Sequence, residues 1–454
     1  MSPVPPGTRG PLALLLAGAV ACAASGPLAE RPALFLAAYL CAGAGWLLAL
    51  GVARRGAVPL RLVVAVAVLL RVVALVSDAG TSDDVHRIPW EGRVLLEGRS
   101  PYAFAPDAPE LLDLRAARPA QHAAVNHPDV PAAYPPLVLA VGALAAWLEP
   151  GDEPGRAAWI VRALFTLCDL ALLLPLVLLL RARALPEGLA VAWAWSPLAA
   201  FEIAGGGHLE ALALAPLLGA LALSERARGP SGHAGAGLLF GLAVLAKLLP
   251  IVLLPWFARG PHGLLRAGVA LAAVGAAYAP WVAPSLGVVG AERGVLGGLS
   301  EYALRWEAAS LVHRFVEGAL ALRFPYDLSA TDPRRLARLA LACAWSLWAL
   351  WTWRRERDPA RAALDVLGAW IVISPVFHPW YALWAVPWLA LRRSHAFAWL
   401  ACAAPLAFAP AAAWQRGGAW TEPAWLWPVL AVPCAVLLCV DARSARRPAP
   451  GAAT

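Results

Sequence analysis

The residues best suited to chemistry in this chain are two adjacent carboxylates, Asp83 and Asp84, near the start of a polar stretch. They follow an apolar run closely, so an apolar wall is expected beside them. Two carboxylates in such a place can hold one ionised base with a tuned pKa. The alternative interpretation is a solvated helix start, in which Ser82 or Asp83 caps the first turn. Arg87 follows in the same segment and is included among the candidate substrate-binding residues.

A second candidate pair, Asn126 and His127, lies near the end of the same polar stretch. Asn126 is the only asparagine in the chain, and a polar residue type used once beside a histidine favours a binding role. The nearby prolines have a simpler explanation, because proline at a first turn sets the start of a helix.

Lys247 is the only lysine among 37 basic residues, and it lies within an apolar run. Burying an ammonium in such a run costs a few kcal/mol, and such residues usually line a polar cavity or a ligand site. The alternative is a side chain that extends to the membrane interface. We interpret Lys247 as a ligand-binding residue.

A turn of three glycines, Gly205–Gly207, carries polar groups on both sides, namely Glu202, His208 and Glu210. A tight helix connection explains the glycines but not the acidic and imidazole groups at membrane depth. We therefore include His208 and Glu210 among the candidate substrate-binding residues.

His378 and Tyr381 belong to a fifth candidate site, where a histidine meets an aromatic cluster between two apolar segments. Aromatic residues favour membrane interfaces in general, so His378 is the informative member. Arg71, within the third apolar segment, has two open interpretations: it counters a phosphate from below the polar stretch, or it extends outward to the interface.

The elements that must position these residues are membrane-spanning helices. The chain is 60% hydrophobic and 15% charged, and its mean hydropathy is +0.64. About 12 to 14 apolar runs are long enough to cross a hydrocarbon layer of about 30 Å. Because lipid cannot satisfy backbone polar groups, and because the alternating segments of a barrel are missing, the sequence predicts an all-α polytopic transmembrane bundle.

Residues 1–454 are interpreted as a single membrane domain with two external loops, at 78–133 and 284–334, and a cytoplasmic tail at 442–454. The first apolar run is interpreted as an uncleaved helix rather than a signal peptide, because more spans follow at once. Predicted apolar segments lie near 11–29, 32–53, 58–77, 134–148, 157–180, 188–203, 209–224, 234–257, 264–283, 335–353, 361–376, 379–391, 396–413 and 423–440.

The net charge of +8 comes from arginines in short connections, as expected for loops that face the cytoplasm, and does not imply nucleic acid binding. Arg54, Arg355 and Arg392 belong to clusters that agree on one cytoplasmic side, which places both long loops on the other side. Arg183 and Arg226 do not fit if every middle segment spans once; a broken or re-entrant segment between 134 and 258 would repair the topology. The seven cysteines lie in apolar runs, so we infer no disulfide framework and no metal site.

Several of these motifs, taken in order, resemble bacterial GT-C glycosyltransferases, and most closely the polyprenol-phosphate-mannose-dependent mannosyltransferases. The resemblance runs from about residue 58 to 392. The motifs that carry it are Asp83-Asp84-Val85-His86-Arg87, Trp90-Glu91-Gly92-Arg93, Gly98-Arg99-Ser100-Pro101-Tyr102, Asn126-His127-Pro128, Tyr134-Pro135-Pro136, the glycine turn with His208 and Glu210, Lys247-Leu248-Leu249-Pro250, and His378-Pro379-Trp380-Tyr381.

The resemblance implies an inverting enzyme that moves a hexose, mannose by analogy, from a polyprenyl-phosphate donor to a lipid or glycan acceptor. It implies a multi-pass protein of the bacterial inner membrane, with an active site facing the periplasm or exterior and with neither cofactor nor metal. The base falls on Asp83, with Asp84 as the close alternative, and Lys247 neutralises the leaving phosphate with Arg71 or His378. His86 stands where many relatives have tyrosine, and Glu91 where aspartate is common.

A polytopic transporter or lipid flippase of the cell envelope is the alternative function, since it also has many spans and rare intramembrane charges. A structural subunit of an envelope complex is a third possibility. The absence of an internal repeat in the sequence favours an enzyme. So do two amphipathic stretches in the first loop, 85–96 and 109–117, which are suited to lie on a membrane surface.

Overall fold

The computed structural model describes residues 6–56, 58–77, 80–285, 294–327 and 330–446. Within these ranges the regular structure is helical, apart from one isolated bridge between Ala308 and Val376. The predicted all-α fold class is confirmed. Part of the predicted second loop, 286–293, and the end of the predicted tail, from 447 onward, lie outside the described residues.

Six segments in the described part of the chain are long and apolar enough to cross a membrane, by length and composition. The sequence suggested more spans, because it counted apolar runs without knowing which of them form continuous helices. The six segments are Gly7–Ala24, Pro32–Arg55, Pro154–Ala182, Gly263–Val282, His395–Gln415 and Leu426–Ser444.

The remaining helices are shorter or more polar, and many begin with proline, which is preorganised for a first turn. Those of the bundle are Leu60–Leu75, Pro136–Leu148, Glu210–Arg226, Pro230–Ala246, Pro333–Arg355 and Pro359–Ile373. Those of the two loops include Arg87–Leu96, Leu112–Ala117, Pro119–Ala123, Gly297–Arg305 and His313–Ala321.

Helices pack closely where glycine removes the side chain, as is common between membrane helices. A Cβ added to Gly18 would lie 2.4 Å from the backbone nitrogen of Ala42, so the first two helices touch along their backbones. A Cβ added to Gly92 would lie 2.0 Å from the carbonyl carbon of Gly142. This second contact fixes the amphipathic helix Arg87–Leu96 of the first loop against the helix Pro136–Leu148.

The arginine-rich connections meet at one end of the bundle, which we call the arginine end. Arg183 forms ion pairs with Asp358 and Glu225, both at 2.6 Å. Arg259 Nη1 donates to the Glu356 carbonyl at 2.8 Å. The connections near residues 183, 225, 259 and 357 therefore share one end. The arginines that did not fit a simple topology are thus placed with the others.

Three apolar segments are broken into short helices instead of forming one continuous helix each. These broken segments explain how the arginine-rich connections come to lie at the same end of the bundle. One is 187–205, which combines a 3₁₀ turn, two short α-helices and the π-helix Ala200–Gly205. The others are 249–257 and 379–390. The broken segment expected between 134 and 258 is present. Each broken segment has one end near the arginine end and connects it to the interior of the bundle without a full-length helix.

The two loops meet at the opposite end, which we call the loop end. The His127 ring lies edge-on to Trp306 with ring centroids 4.9 Å apart, joining the first loop to the second. Gln415 Nε2 donates to the Gly80 carbonyl at 2.8 Å, joining the first loop to the segment His395–Gln415. The loop end is therefore built from distant parts of the sequence.

Candidate active site

The two carboxylates of the first loop share one amide. Asn126 Nδ2 donates to Asp83 Oδ1 and to Asp84 Oδ1, each at 2.7 Å. Ser82 Oγ accepts from the Asp84 backbone N–H at 3.3 Å, while the Asp83 side chain caps no backbone group. The capping interpretation therefore applies to Ser82, and Asp83 remains available for another role.

Arg87 fastens the segment that carries Asn126. Its guanidinium donates to the backbone carbonyls of Asn126 at 2.8 Å, His127 at 2.9 Å and Val130 at 2.7 Å, and to Glu91 Oε1 at 3.0 Å. Burial raises the pKa of Glu91, and the charge and hydrogen bonds of Arg87 oppose that rise. Arg87 thus holds the loop in shape, and its donors are engaged by protein acceptors rather than left for a ligand.

The glycine turn places His208 beside Glu202. His208 Nδ1 lies 3.0 Å from the Glu202 carbonyl and 3.3 Å from its carboxylate Oε2. A Cβ on Gly206 would lie 2.9 Å from His208 Nδ1. Gly207 has a φ of +75°, and its Cβ would lie 2.5 Å from Val85 Cγ2. The glycines are therefore needed both for the imidazole and for the approach of the first loop.

Lys247 stands at the end of the helix Pro230–Ala246, where the backbone turns extended. Its Nζ donates to Glu210 Oε1 at 2.5 Å and lies 5.1 Å from the Tyr381 ring centroid and 5.9 Å from that of Trp384. Its side chain is 22% exposed, and that of Glu210 is 1% exposed. Lys247 is thus held inside the bundle by a carboxylate and two aromatic rings, and does not extend to an interface.

Trp380 brings the two histidines together. Its ring stacks on His208 with centroids 3.7 Å apart, and on His378 with centroids 4.3 Å apart. Tyr381, the next residue, shares a hydrogen bond of 2.6 Å with the hydroxyl of Tyr302 from the second loop. The aromatic cluster is therefore the surface on which the candidate residues assemble.

The charged and titratable groups that act on His378 come from three separate sequence regions. Desolvation lowers the pKa of His378 to about 4; the charge of Asp84 opposes this, while His208 and Lys247 reinforce it. His378 therefore interacts with the first loop, the glycine turn and the lysine at once. It is uncharged at neutral pH, so it can form a hydrogen bond with a phosphate but does not neutralise one.

Arg71 is not part of this cluster, and neither interpretation of it from the sequence describes its position. It is 1% exposed, so it does not extend outward. Its guanidinium pairs with Asp169 at 2.8 and 3.0 Å and also donates to the Ala194 carbonyl. Trp193 Nε1 donates to the same carboxylate at 2.7 Å. Arg71 therefore belongs to a buried structural ion pair that holds helices together.

Some residues of the site were missed or left unassigned in the sequence analysis. Glu202 and Trp380 were noticed but given no role, and Tyr302 was not considered. Arg162 was missed too: it donates to the carbonyls of Leu75 at 2.8 Å and Ala204 at 2.7 Å, tying the third helix to the π-helix. The sequence did contain a signal for Arg162, because a charged residue within an apolar run is expected to have a specific partner.

Several buried polar atoms around the cluster have no hydrogen-bond partner among the residues that the structure describes. They include Asn126 Oδ1, Glu202 Oε2, His208 Nε2 and Glu210 Oε2. Buried polar groups are nearly always paired, and an unpaired one asks for an explanation such as a bound ligand. A phosphosugar offers both donors and acceptors to such atoms.

One group among the described residues could hold a metal ion, and it lies on the second loop. Glu307, His313 and Glu317 offer ligand atoms within 4.8 Å of one another. Glu307 Oε1 already accepts from Arg338 Nη2 at 2.7 Å. The sequence did not predict this group, and the cluster around Trp380 does not include it.

The fold and this cluster define a multi-pass helical membrane protein with paired acidic and basic groups at the loop end of its bundle. Comparison with known proteins identifies the kind of enzyme. Residues 16–260, more than half of the chain, match the MptA/B family, described as alpha-(1->6)-mannopyranosyltransferase, N-terminal domain. The chain belongs to this family of mannosyltransferases, which are GT-C glycosyltransferases that use a polyprenol-phosphate mannose.

No curated protein and no solved structure gives a significant match to the chain. The family match alone therefore decides between the functions left open by the sequence. It confirms the predicted glycosyltransferase, and the transporter or flippase is set aside. It also confirms the resemblance drawn from the loop motifs, because the matched region contains the first loop, the glycine turn and Lys247.

Proposed function

We propose that this protein transfers mannose with inversion from a polyprenyl-phosphate donor to a hydroxyl of a lipid or glycan acceptor, at the extracytoplasmic face of a bacterial inner membrane. The observation that carries the proposal is the meeting of Asp84, His208 and Lys247 around His378, which gathers a carboxylate and cationic partners beside one aromatic surface. Family membership supplies the sugar.

The base is Asp83. An acceptor arrives from outside the cluster, and Asp83 is the more exposed carboxylate of the pair. Asp84, which is half-buried, acts on the histidines instead. Asn126 holds both carboxylates at a fixed spacing. The acceptor oxygen attacks the anomeric carbon while its proton passes to Asp83.

The leaving group is the lipid phosphate. The bond between the anomeric carbon and the phosphate oxygen breaks, and its electron pair stays on that oxygen, so negative charge grows there. Lys247 neutralises this charge from a site enclosed by protein, where a fixed cation acts more strongly than in water. His378, uncharged, donates or accepts a hydrogen bond. No nucleotide diphosphate leaves, and this route needs no divalent metal.

Orientation follows from the arginines. The arginine end is the cytoplasmic side by the preference of basic residues for that side, so the loop end faces outward. A lipid-linked donor suits this arrangement, because its phosphate stays near the membrane surface while its tail lies among the helices.

The test uses purified protein with labelled polyprenyl-phosphate mannose and a membrane lipid extract, and GDP-mannose as the control donor. We expect transfer from the lipid donor alone. Asp83→Asn should lower turnover by about 10²- to 10⁴-fold, as for loss of a general base. Asp84→Asn is the matched control and should lose less. The reverse order would move the base to Asp84, and no transfer from any polyprenyl-phosphate sugar would refute the proposal.

A further inference from the structure

Glu202 is a buried carboxylate that the proposed mechanism does not yet use. It is fully buried. Tyr39 Oη donates to its Oε1 at 3.1 Å, and its Oε2 lies 3.3 Å from His208 Nδ1. A carboxylate in such a place is costly unless it is paired. His208 is the cationic partner within reach.

The hydrogen bonds fix where the protons of His208 lie. Nδ1 is 3.0 Å from the Glu202 carbonyl oxygen, which only accepts, so Nδ1 carries a proton. In a neutral ring Nε2 would then be a bare acceptor. In an imidazolium Nε2 carries a proton, and it is buried with no acceptor within the described part of the chain.

We infer that Glu202 is a positioning residue that keeps His208 as an imidazolium, whose Nε2–H binds the leaving phosphate opposite Lys247. The inference rests on the proposed function, because it names a second cation for the same leaving group. His208 is the residue that contacts the phosphate, and Glu202 acts through it.

The surroundings of His208 support the charged form. Burial lowers the pKa of the imidazole, but the carboxylate of Glu202, whose Oε2 lies 3.3 Å from Nδ1, together with the charges of Glu210 and Asp84, outweighs burial and leaves the pKa raised. The other titratable or charged groups nearby are His378, which stacks on Trp380, Lys247, whose charge acts on His378, and Arg162 against Gly207.

The pKa values of the two histidines of the cluster, His208 and His378, are therefore shifted in opposite directions. His378, which has no ion pair with a carboxylate among the described residues, is uncharged, while His208 holds its proton. Environments that shift the pKa values of two neighbouring groups in opposite directions give the two groups different chemical roles. The cluster then offers the phosphate one ammonium, one imidazolium and one neutral imidazole.

The test is the pH dependence of turnover for Glu202→Gln. In the wild type, the high-pH loss of activity should follow deprotonation of His208. Without the Glu202 charge the pKa of His208 falls, so the loss should begin about one to two pH units lower. At a pH above both pKa values, turnover should drop about 10- to 100-fold, the factor that one to two pH units give, and it should recover toward wild type at acidic pH.

Three variants keep the result interpretable. Glu202→Asp retains the charge and should retain most of the wild-type profile. Glu149→Gln is the same substitution at another buried carboxylate, one that pairs with Arg156 outside the cluster, and should leave the profile unchanged. His208→Gln should remove the effect of Glu202→Gln, so that the double variant is no slower than His208→Gln alone.

The possible failures are distinguishable. If wild-type protein transfers mannose and Glu202→Gln lowers turnover equally at every pH, or not at all, the inference is refuted and the proposed function stands. If wild-type protein transfers nothing from polyprenyl-phosphate mannose, the proposed function is refuted and the inference falls with it.

Discussion

Lys247 offers the most direct test of how the site holds its donor, and we develop the change Lys247→Met. Methionine retains the length and apolar contacts of the lysine stem but removes the ammonium. The ammonium now lies 2.5 Å from Glu210 Oε1 and within 6 Å of the Tyr381 and Trp384 ring centroids. The variant should therefore keep its packing and lose its affinity for the donor phosphate.

The loss of donor affinity can be estimated by treating Lys247 and the donor phosphate as a buried charge pair. Removing one member of a buried, hydrogen-bonded charge pair costs about 2–5 kcal/mol. Lys247 is 22% exposed, so some water screens it, and a value near the lower half of that range, about 3 kcal/mol, is appropriate. Because about 1.4 kcal/mol corresponds to a tenfold change, the donor Kd should rise about 150-fold.

The assay is equilibrium binding of polyprenyl-phosphate mannose to purified protein, with uncharged polyprenol as the reference lipid. Affinity for the reference lipid should not change. Lys247→Met also leaves Glu210 without its partner, so the double variant with Glu210→Gln is needed to separate stability from binding. It should fold as well as wild type and still bind the donor weakly.

Lys247→Arg is the matched control, because it keeps a positive charge at the same position. It should retain donor affinity within about tenfold of wild type, given the different geometry of a guanidinium. An unchanged donor Kd in Lys247→Met would refute the reasoning. Lys247 would then serve only to neutralise Glu210, and the phosphate would bind elsewhere.

Two further predictions concern the framework of the site. Arg71→Met should lower the free energy of unfolding by about 3–5 kcal/mol, because it leaves Asp169 buried and unpaired. The double variant Arg71→Met with Asp169→Leu should regain stability in thermal unfolding and activity in transfer assays. If that double variant is stable but inactive, Arg71 belongs to the active site after all. Gly207→Ala should abolish transfer, since the φ of Gly207 is +75° and a Cβ would lie 2.5 Å from Val85 Cγ2. The control Gly155→Ala, with open space around it, should be as active as wild type. Equal activity of the two variants would contradict the close approach of the first loop to Gly207.

The sequence predicted that the apolar runs of this protein are helical, but it did not predict which of them are continuous helices. Apolar runs and the scarcity of charge were sufficient to predict a helical membrane bundle, because lipid permits so few alternatives. They could not tell a full-length helix from a broken segment such as 187–205, since both are equally apolar. Only contacts such as Arg183 with Asp358 reveal which end each connection occupies.

For the site, rarity was the useful signal. The single lysine and the single asparagine both lie in the cluster, and Glu210 holds Lys247 inside the bundle. Arg71 shows the limit of that logic: the sequence left it either countering a phosphate or extending to the interface, yet it pairs with Asp169, 98 residues away, and no local pattern identifies such a partner. Glu202 was overlooked as a participant for the same reason, because its role depends on His208 and Tyr39 in space.

The broken segments explain why this cluster can exist inside an apolar bundle. Non-helical backbone at membrane depth is tolerated only where protein or a polar cavity satisfies it. Here the breaks coincide with the site: His208 follows the π-helix, Lys247 follows the end of a helix, and His378 precedes a 3₁₀ turn. At each break the chain reverses, so a polar side chain can turn toward its counterparts on the other breaks instead of toward lipid. The irregular helices are therefore the means by which a chain that is 60% hydrophobic brings an imidazole, an ammonium and carboxylates to one place.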